Sequence, residues 1–188
     1  MNKNTKLALL GASLLGGIYI MNSTEYKNYG LIGGNVQIQA YIYMACKVIS
    51  PTTVENAKLL LAETIAVESK NGQVADNSLT YGEGLTQFDK PTFIDVKKTF
   101  SDIKHVELLK RIKTFLNVDI LTAEYEDLRK SPMLSIVMAR LLYLRVPESI
   151  PDTDFGRWAY YKRWFNSSLG ATTESKYMNA KKFSVYKV

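Results

Sequence analysis

Val54-Glu55-Asn56-Ala57-Lys58-Leu59-Leu60-Leu61-Ala62-Glu63-Thr64-Ile65-Ala66-Val67-Glu68 reads as one helix, and the rest of the chain is best read outward from it. Ser50-Pro51-Thr52-Thr53 precedes it with hydroxyls suited to cap its start, and Glu55 puts an acid in the first turn. At the far end, Glu68 shares a face with Leu61, Thr64 and Ile65, at i−7, i−4 and i−3. A carboxyl on so uncharged a face, beside a glycine-rich segment, is expected to lose hydration. Desolvation disfavours the charged form, raises the pKa and keeps a proton available near neutral pH. Glu63 on the same helix reads as an ordinary surface glutamate whose change to glutamine should be nearly silent. Periodicity alone does not separate the two.

The pattern stays helical on both sides. Apolar spacing predicts a helix over Val36 to Ile49, stopped by Pro51. Asn71-Gly72, Asp76-Asn77-Ser78, Gly82 and Gly84 mark residues 69 to 84 as a loop or small hairpin. Phe93 to Leu116 is helical in composition, with a break near Ser101. Ser131-Pro132 opens a helix over Met133 to Val146, with proline in its first turn. Pro147, Pro151 and Thr153 end it and start another, Asp154 to Phe165. The expected fold class is mainly α, with no long strands.

A chain of 188 residues suits one domain with a sizeable core. With 46% hydrophobic and 22% charged residues, it is not a disordered composition. The single cysteine, Cys46, excludes an intramolecular disulfide, and with the single histidine, His105, it makes a Cys/His zinc site improbable; no metal is expected. Cys46 lies in the apolar run Ile42-Tyr43-Met44-Ala45-Cys46 and reads as a small buried thiol. From Arg157 onward, seven Lys and Arg stand against the single acid Glu174, which accounts for the whole net charge of +6. A basic C-terminal segment is drawn to polyanions or is simply a solvated face.

Lys3 and Lys6 precede Leu7 to Met21, a run without charge, in the layout of an export signal. No small-x-small cleavage site follows. Residues 1–21 therefore read as a retained, weakly hydrophobic membrane anchor, and residues 22–34, polar and glycine-bearing, as a linker. The rival is an N-terminal helix buried in the fold or in an assembly, against which the glycines count.

Ala66-Val67-Glu68-Ser69, then Ser78-Leu79-Thr80-Tyr81-Gly82-Glu83-Gly84-Leu85-Thr86-Gln87-Phe88, then Thr92, follow in order. The set resembles the motif of lytic transglycosylases: a Glu-Ser pair ending a helix, then S-x-x-G-A-x-G-L-M-Q-I, then a threonine five residues past the glutamine. Glu68-Ser69-Lys70-Asn71-Gly72 and Gln87-Phe88-Asp89-Lys90 are also similar to goose-type lysozymes, which share the fold. Ala139-Arg140-Leu141-Leu142-Tyr143-Leu144-Arg145-Val146-Pro147 and Ala159-Tyr160-Tyr161-Lys162-Arg163-Trp164-Phe165-Asn166-Ser167 are similar to the closing part of phage-encoded members. There an aromatic–asparagine pair ends a helix and lines the sugar cleft. The resemblance covers about residues 55 to 175.

It implies a lysozyme-like catalytic domain over 35–188 that cleaves the β-1,4 bond between N-acetylmuramic acid and N-acetylglucosamine, with no cofactor. Glu68 would be the general acid and then the base. Ser69, Ser78, Gly84, Leu85, Gln87 and Asn166 would bind or shape the sugar. Glu83 and Asp89 are candidates for the second carboxylate that a hydrolase needs and a transglycosylase does not. The implied partners are peptidoglycan and, through the N-terminus, a membrane. The domain would face the periplasm or cell wall, or travel with a virion, in phage lysis, infection or wall remodelling.

Two departures stand out. Phe165 replaces the usual tyrosine, leaving Tyr143, Tyr160 or Tyr161 to supply a hydroxyl. Gly82-Glu83 replaces the usual Gly-Ala frame, shifted by one residue. A rival reading keeps the fold as a catalytically weak structural or peptidoglycan-binding protein, with Phe165 its best support. A nucleic-acid binder would need basic residues interleaved with aromatics, which Arg157, Lys162 and Arg163 around Tyr161 provide only loosely; no nucleic-acid partner is expected. Trp158 and Trp164 suit sugar stacking or the core equally, and His105 reads as exposed and silent.

Overall fold

A computed structural model describes residues 29–74, 82–167 and 170–187. The anchor expected over residues 1–21, linker residues 22–28 and Ser78 lie outside the described residues. The molecule is mainly helical: α1 (Gly34–Ile49), α2 (Val54–Ser69), α3 (Lys90–Phe100), α4 (Val106–Leu116), α5 (Pro132–Leu144), α6 (Asp154–Tyr161) and α7 (Glu174–Lys181). Among the described residues there is no strand, and no helix is long and apolar enough to cross a membrane.

The core forms around α5. Ser131 caps it by accepting from Leu134 N, Pro132 occupies its first turn, and every residue from Pro132 to Tyr143 is buried. A helix apolar on all sides belongs at the centre of a fold, and α1, α2 and α3 all pack against it. α1 contributes Ile38, Ile42, Ala45, Cys46 and Ile49, a stripe at helical spacing, with Cys46 fully enclosed as expected.

Three expectations change on contact with the tertiary structure, and one helix is added to them. The linker ends early, because Tyr29 and Leu31 are buried against Gly72, and α1 already begins at Gly34. Thr53 makes no cap bond to α2. Its hydroxyl instead accepts from Arg140 Nη2 at 2.8 Å, a partner for one arm of a guanidinium buried on α5 whose Nε has none. The helix over Asp154 to Phe165 turns from α to π at Lys162–Asn166. Finally, α7 went unforeseen; it is held by Thr173, which accepts from Lys176 N, and by the buried Tyr177.

Candidate active site

α2 ends where the resemblance places its acid. Lys70 and Asn71 take left-handed backbone, with φ of 48° and 60°, and turn the chain away just after Glu68-Ser69. Ser69 is buried and binds backbone only: its Oγ lies 2.6 Å from the Leu85 carbonyl and accepts from Gly72 N at 2.9 Å. That hydroxyl ties the end of α2 to a tight turn, closed by paired backbone bonds between Glu83 and Phe88 at 2.9 Å each. Gly84 inside the turn has φ of +74°, and a Cβ there would stand 2.7 Å from the Leu128 carbonyl and 2.8 Å from Ser135 Oγ. Only glycine permits both the backbone angle and that approach. Leu85 is wholly buried. Ser69, Gly84 and Leu85 therefore build the wall from behind and do not line the cleft.

The cleft itself is lined by Glu68, Gln87, Phe88, Asp89, Thr92, Leu142, Phe165 and Asn166. Glu68 is half-buried at its edge, and the Tyr161 hydroxyl donates to its Oε1 at 2.5 Å. Burial, and then the neighbouring Glu68 charge, push the Tyr161 hydroxyl far above its usual range. It stays a donor at every pH of interest. Gln87 is pinned by bonds from its Nε2 to Tyr29 Oη at 2.8 Å and to the Gly84 carbonyl at 2.7 Å. The residue read as linker thus supports the cleft wall.

Of the three hydroxyls offered in place of the one missing at Phe165, Tyr161's reaches Glu68. Tyr143 Oη pairs with Thr64 Oγ1 at 2.8 Å, and Tyr160 donates to the Glu148 carbonyl at 3.2 Å, with burial raising its hydroxyl to about 12. Phe165 stacks on Tyr161 at 5.8 Å and meets Phe88 edge-on at 5.8 Å. Its ring packs on the tyrosine whose hydroxyl meets Glu68.

The two second-carboxylate candidates are both engaged. Glu83 is buried in an ion pair with Arg129 and does not line the cleft. Asp89 does line it, but its carboxylate caps α3, accepting from Thr92 N and Thr92 Oγ1 at 2.8 Å each. That bond also explains the threonine five residues past Gln87. Asn166 lines the cleft with its Oδ1 taken by Lys162 Nζ at 2.9 Å.

Glu63 is not the surface glutamate its position suggested. It is 1% exposed and forms a two-pronged pair with Arg157, Nε to Oε2 and Nη2 to Oε1 at 2.9 Å, while Tyr177 donates to it at 2.7 Å. An apolar stripe is no place for a lone carboxylate, and α6 and α7 bring the partners that make burial tolerable. The basic C-terminal segment is partly consumed this way: Arg157 is buried, Lys181 pairs with Asp154, and Arg163 pairs with Glu148. Trp158 packs on Tyr177 at 5.5 Å and Trp164 lies under Arg163 at 4.6 Å, neither in the cleft. His105 is only half-exposed, its ring 4.6 Å from that of Phe100.

Compared with known proteins, the chain matches no family model, no curated protein and no solved structure.

Proposed function

We propose that this chain is a lysozyme-like lytic transglycosylase that cleaves the N-acetylmuramic acid–N-acetylglucosamine bond of peptidoglycan. The observation that carries the reading is Glu68 at a helix end and cleft edge, held by a tyrosine hydroxyl, with Gln87 and Asn166 lining the same cleft. In the first step Glu68 gives its proton to the departing glycosidic oxygen as the C1–O bond breaks. The muramic C6 hydroxyl then bonds to C1, and Glu68 takes that hydroxyl's proton, so the acid is regenerated and a 1,6-anhydro ring closes. Tyr161 orients the carboxyl through both steps.

Two features favour this one-acid route over two-carboxylate hydrolysis. Glu83 is turned to Arg129, and Asp89 is committed to the start of α3. The catalytically weak alternative drew on Phe165, and the Tyr161 hydroxyl from the preceding turn removes much of that support. Residues 1–21 would hold the enzyme at a membrane with its domain toward the wall, in a phage lysis or infection role.

The test is digestion of purified peptidoglycan by the wild type and Glu68→Gln. Release of soluble fragments by the first and not the second is expected. A wild type that binds sacculi without cutting them would establish the weak-binder reading instead.

A further inference from the structure

Behind Glu68, polar side chains connect into a single run of hydrogen bonds. Lys162 is half-buried, and its ammonium donates to Asn166 Oδ1 at 2.9 Å and to the Gly170 carbonyl at 2.6 Å. Asn166 Nδ2 in turn donates to Thr172 Oγ1 at 3.4 Å. Thr172 hydrogen-bonds the Tyr161 hydroxyl, and Tyr161 donates to Glu68 Oε1 at 2.5 Å. Gly170 closes the arrangement. A Cβ there would stand 2.2 Å from both the backbone and the side-chain oxygen of Asn166, so only glycine lets the chain pass this near.

The direction of each bond follows from which atoms have a proton to give. An ammonium only donates, so Lys162 must face the oxygen of the Asn166 amide, and the amide nitrogen is left turned to Thr172. Tyr161 has one hydroxyl proton, and it goes to Glu68. Its oxygen can therefore only accept from Thr172, whose own oxygen accepts from Asn166. Every link points the same way, from a cation to a carboxyl. Hydrogen bonds aligned head to tail polarise one another, and each strengthens the next.

We propose that Lys162, Asn166 and Thr172 are positioning residues that act on Glu68 through Tyr161, aiming a one-way run of donors at its carboxylate. The run stabilises the anion that Glu68 becomes on giving up its proton, and so makes it a stronger acid. Ionisable groups on the neighbouring elements are engaged elsewhere. Tyr143 of α5 pairs with Thr64, Asp89 caps α3, and Glu63, Arg157 and Tyr177 hold one another. The part played in catalysis rests on the peptidoglycan reading; the run of donors does not.

The test reads the full chain in two ways. The first needs no substrate: Glu68 is titrated through the carbon-13 signal of its carboxyl in glutamate-labelled protein, assigned with Glu68→Gln. Thr172→Val keeps the shape and removes the hydroxyl, Lys162→Met removes the cation, and Thr172→Ser keeps a hydroxyl donor. Losing donors disfavours the charged form, so Glu68 should titrate at higher pH in Thr172→Val and Lys162→Met, and as in the wild type in Thr172→Ser. The second readout is kinetics on soluble strands. On the acidic side of the pH profile, Thr172→Val should lower kcat about fivefold, the scale of one hydrogen bond, with KM unchanged. Its alkaline limb should move up in pH, because the weaker acid keeps its proton longer. A Glu68 titration unmoved by both Thr172→Val and Lys162→Met overturns the proposal, as does Thr172→Ser behaving like Thr172→Val. A moved titration in a protein that cuts no wall would uphold the run of donors and sink the enzyme assignment.

Discussion

Tyr161 and Glu68 lie 93 positions apart in sequence and meet at 2.5 Å across the cleft edge. Tyr161 is the last residue of α6, just before the chain takes up π winding over Lys162–Asn166, and Phe165 from that segment stacks on the Tyr161 ring. π turns of this kind recur at functional sites, where one extra residue re-aims side chains.

Glu68→Gln should abolish wall cleavage with the melting temperature within a few degrees of wild type, because the amide keeps the shape and loses the proton. Tyr161→Phe should lower kcat by roughly 10–100-fold and leave KM nearly unchanged, the scale of a hydrogen bond to a charged group. Steady-state kinetics on soluble strands read both; a Tyr161→Phe enzyme with wild-type kcat would remove the hydroxyl from the mechanism.

The product should be the anhydro sugar, lighter than the hydrolysed one by one water, and mass spectrometry of a digest measures it directly. Asp89→Asn should retain both activity and product, since asparagine caps a helix nearly as well as aspartate. Only reducing-end products, lost on Asp89→Asn, would place the enzyme among the hydrolases.

Glu63→Gln should be far from silent. It leaves Arg157 buried against a neutral amide, and breaking one side of a buried pair costs about 3–5 kcal/mol. Urea denaturation measures the loss, and Tyr177→Phe should give a smaller one, about 1.5–3 kcal/mol. Equal stability of wild type and Glu63→Gln would mean that the pair contributes nothing to the fold.

Burial pushes the Cys46 thiol from 9.0 up to about 11, against the opposing pull of Arg140. The folded state therefore holds this proton more tightly than the unfolded chain. The associated stability is complete below pH 9 and is lost as pH rises towards 11. The full loss is of order 2–3 kcal/mol. Cys46→Ala should fall less steeply over that window in denaturant titrations, and the native thiol should resist alkylation at pH 8. Matching slopes for the two proteins would refute the assignment.

Whatever depends on local order is legible in the residues alone. Apolar spacing marked α1, α2 and α5, proline and serine marked the start of α5, and Gly84 marked the turn against which α2 ends. Those signals are local because helix periodicity and backbone freedom belong to neighbouring residues. Long-range packing settles which glutamate is enclosed and which lines the cleft. Glu63 and Glu68 sit on one helix with similar neighbours, and their difference comes from Arg157, Tyr177 and Tyr161, delivered by α6 and α7 from about a hundred residues away. Tyr29 was read as linker for the same reason: its partner Gln87 is distant in the chain, and long-range hydrogen bonds leave no mark on local composition. Glu83 and Asp89 were equal candidates as letters, until Arg129 and Thr92 claimed their carboxylates.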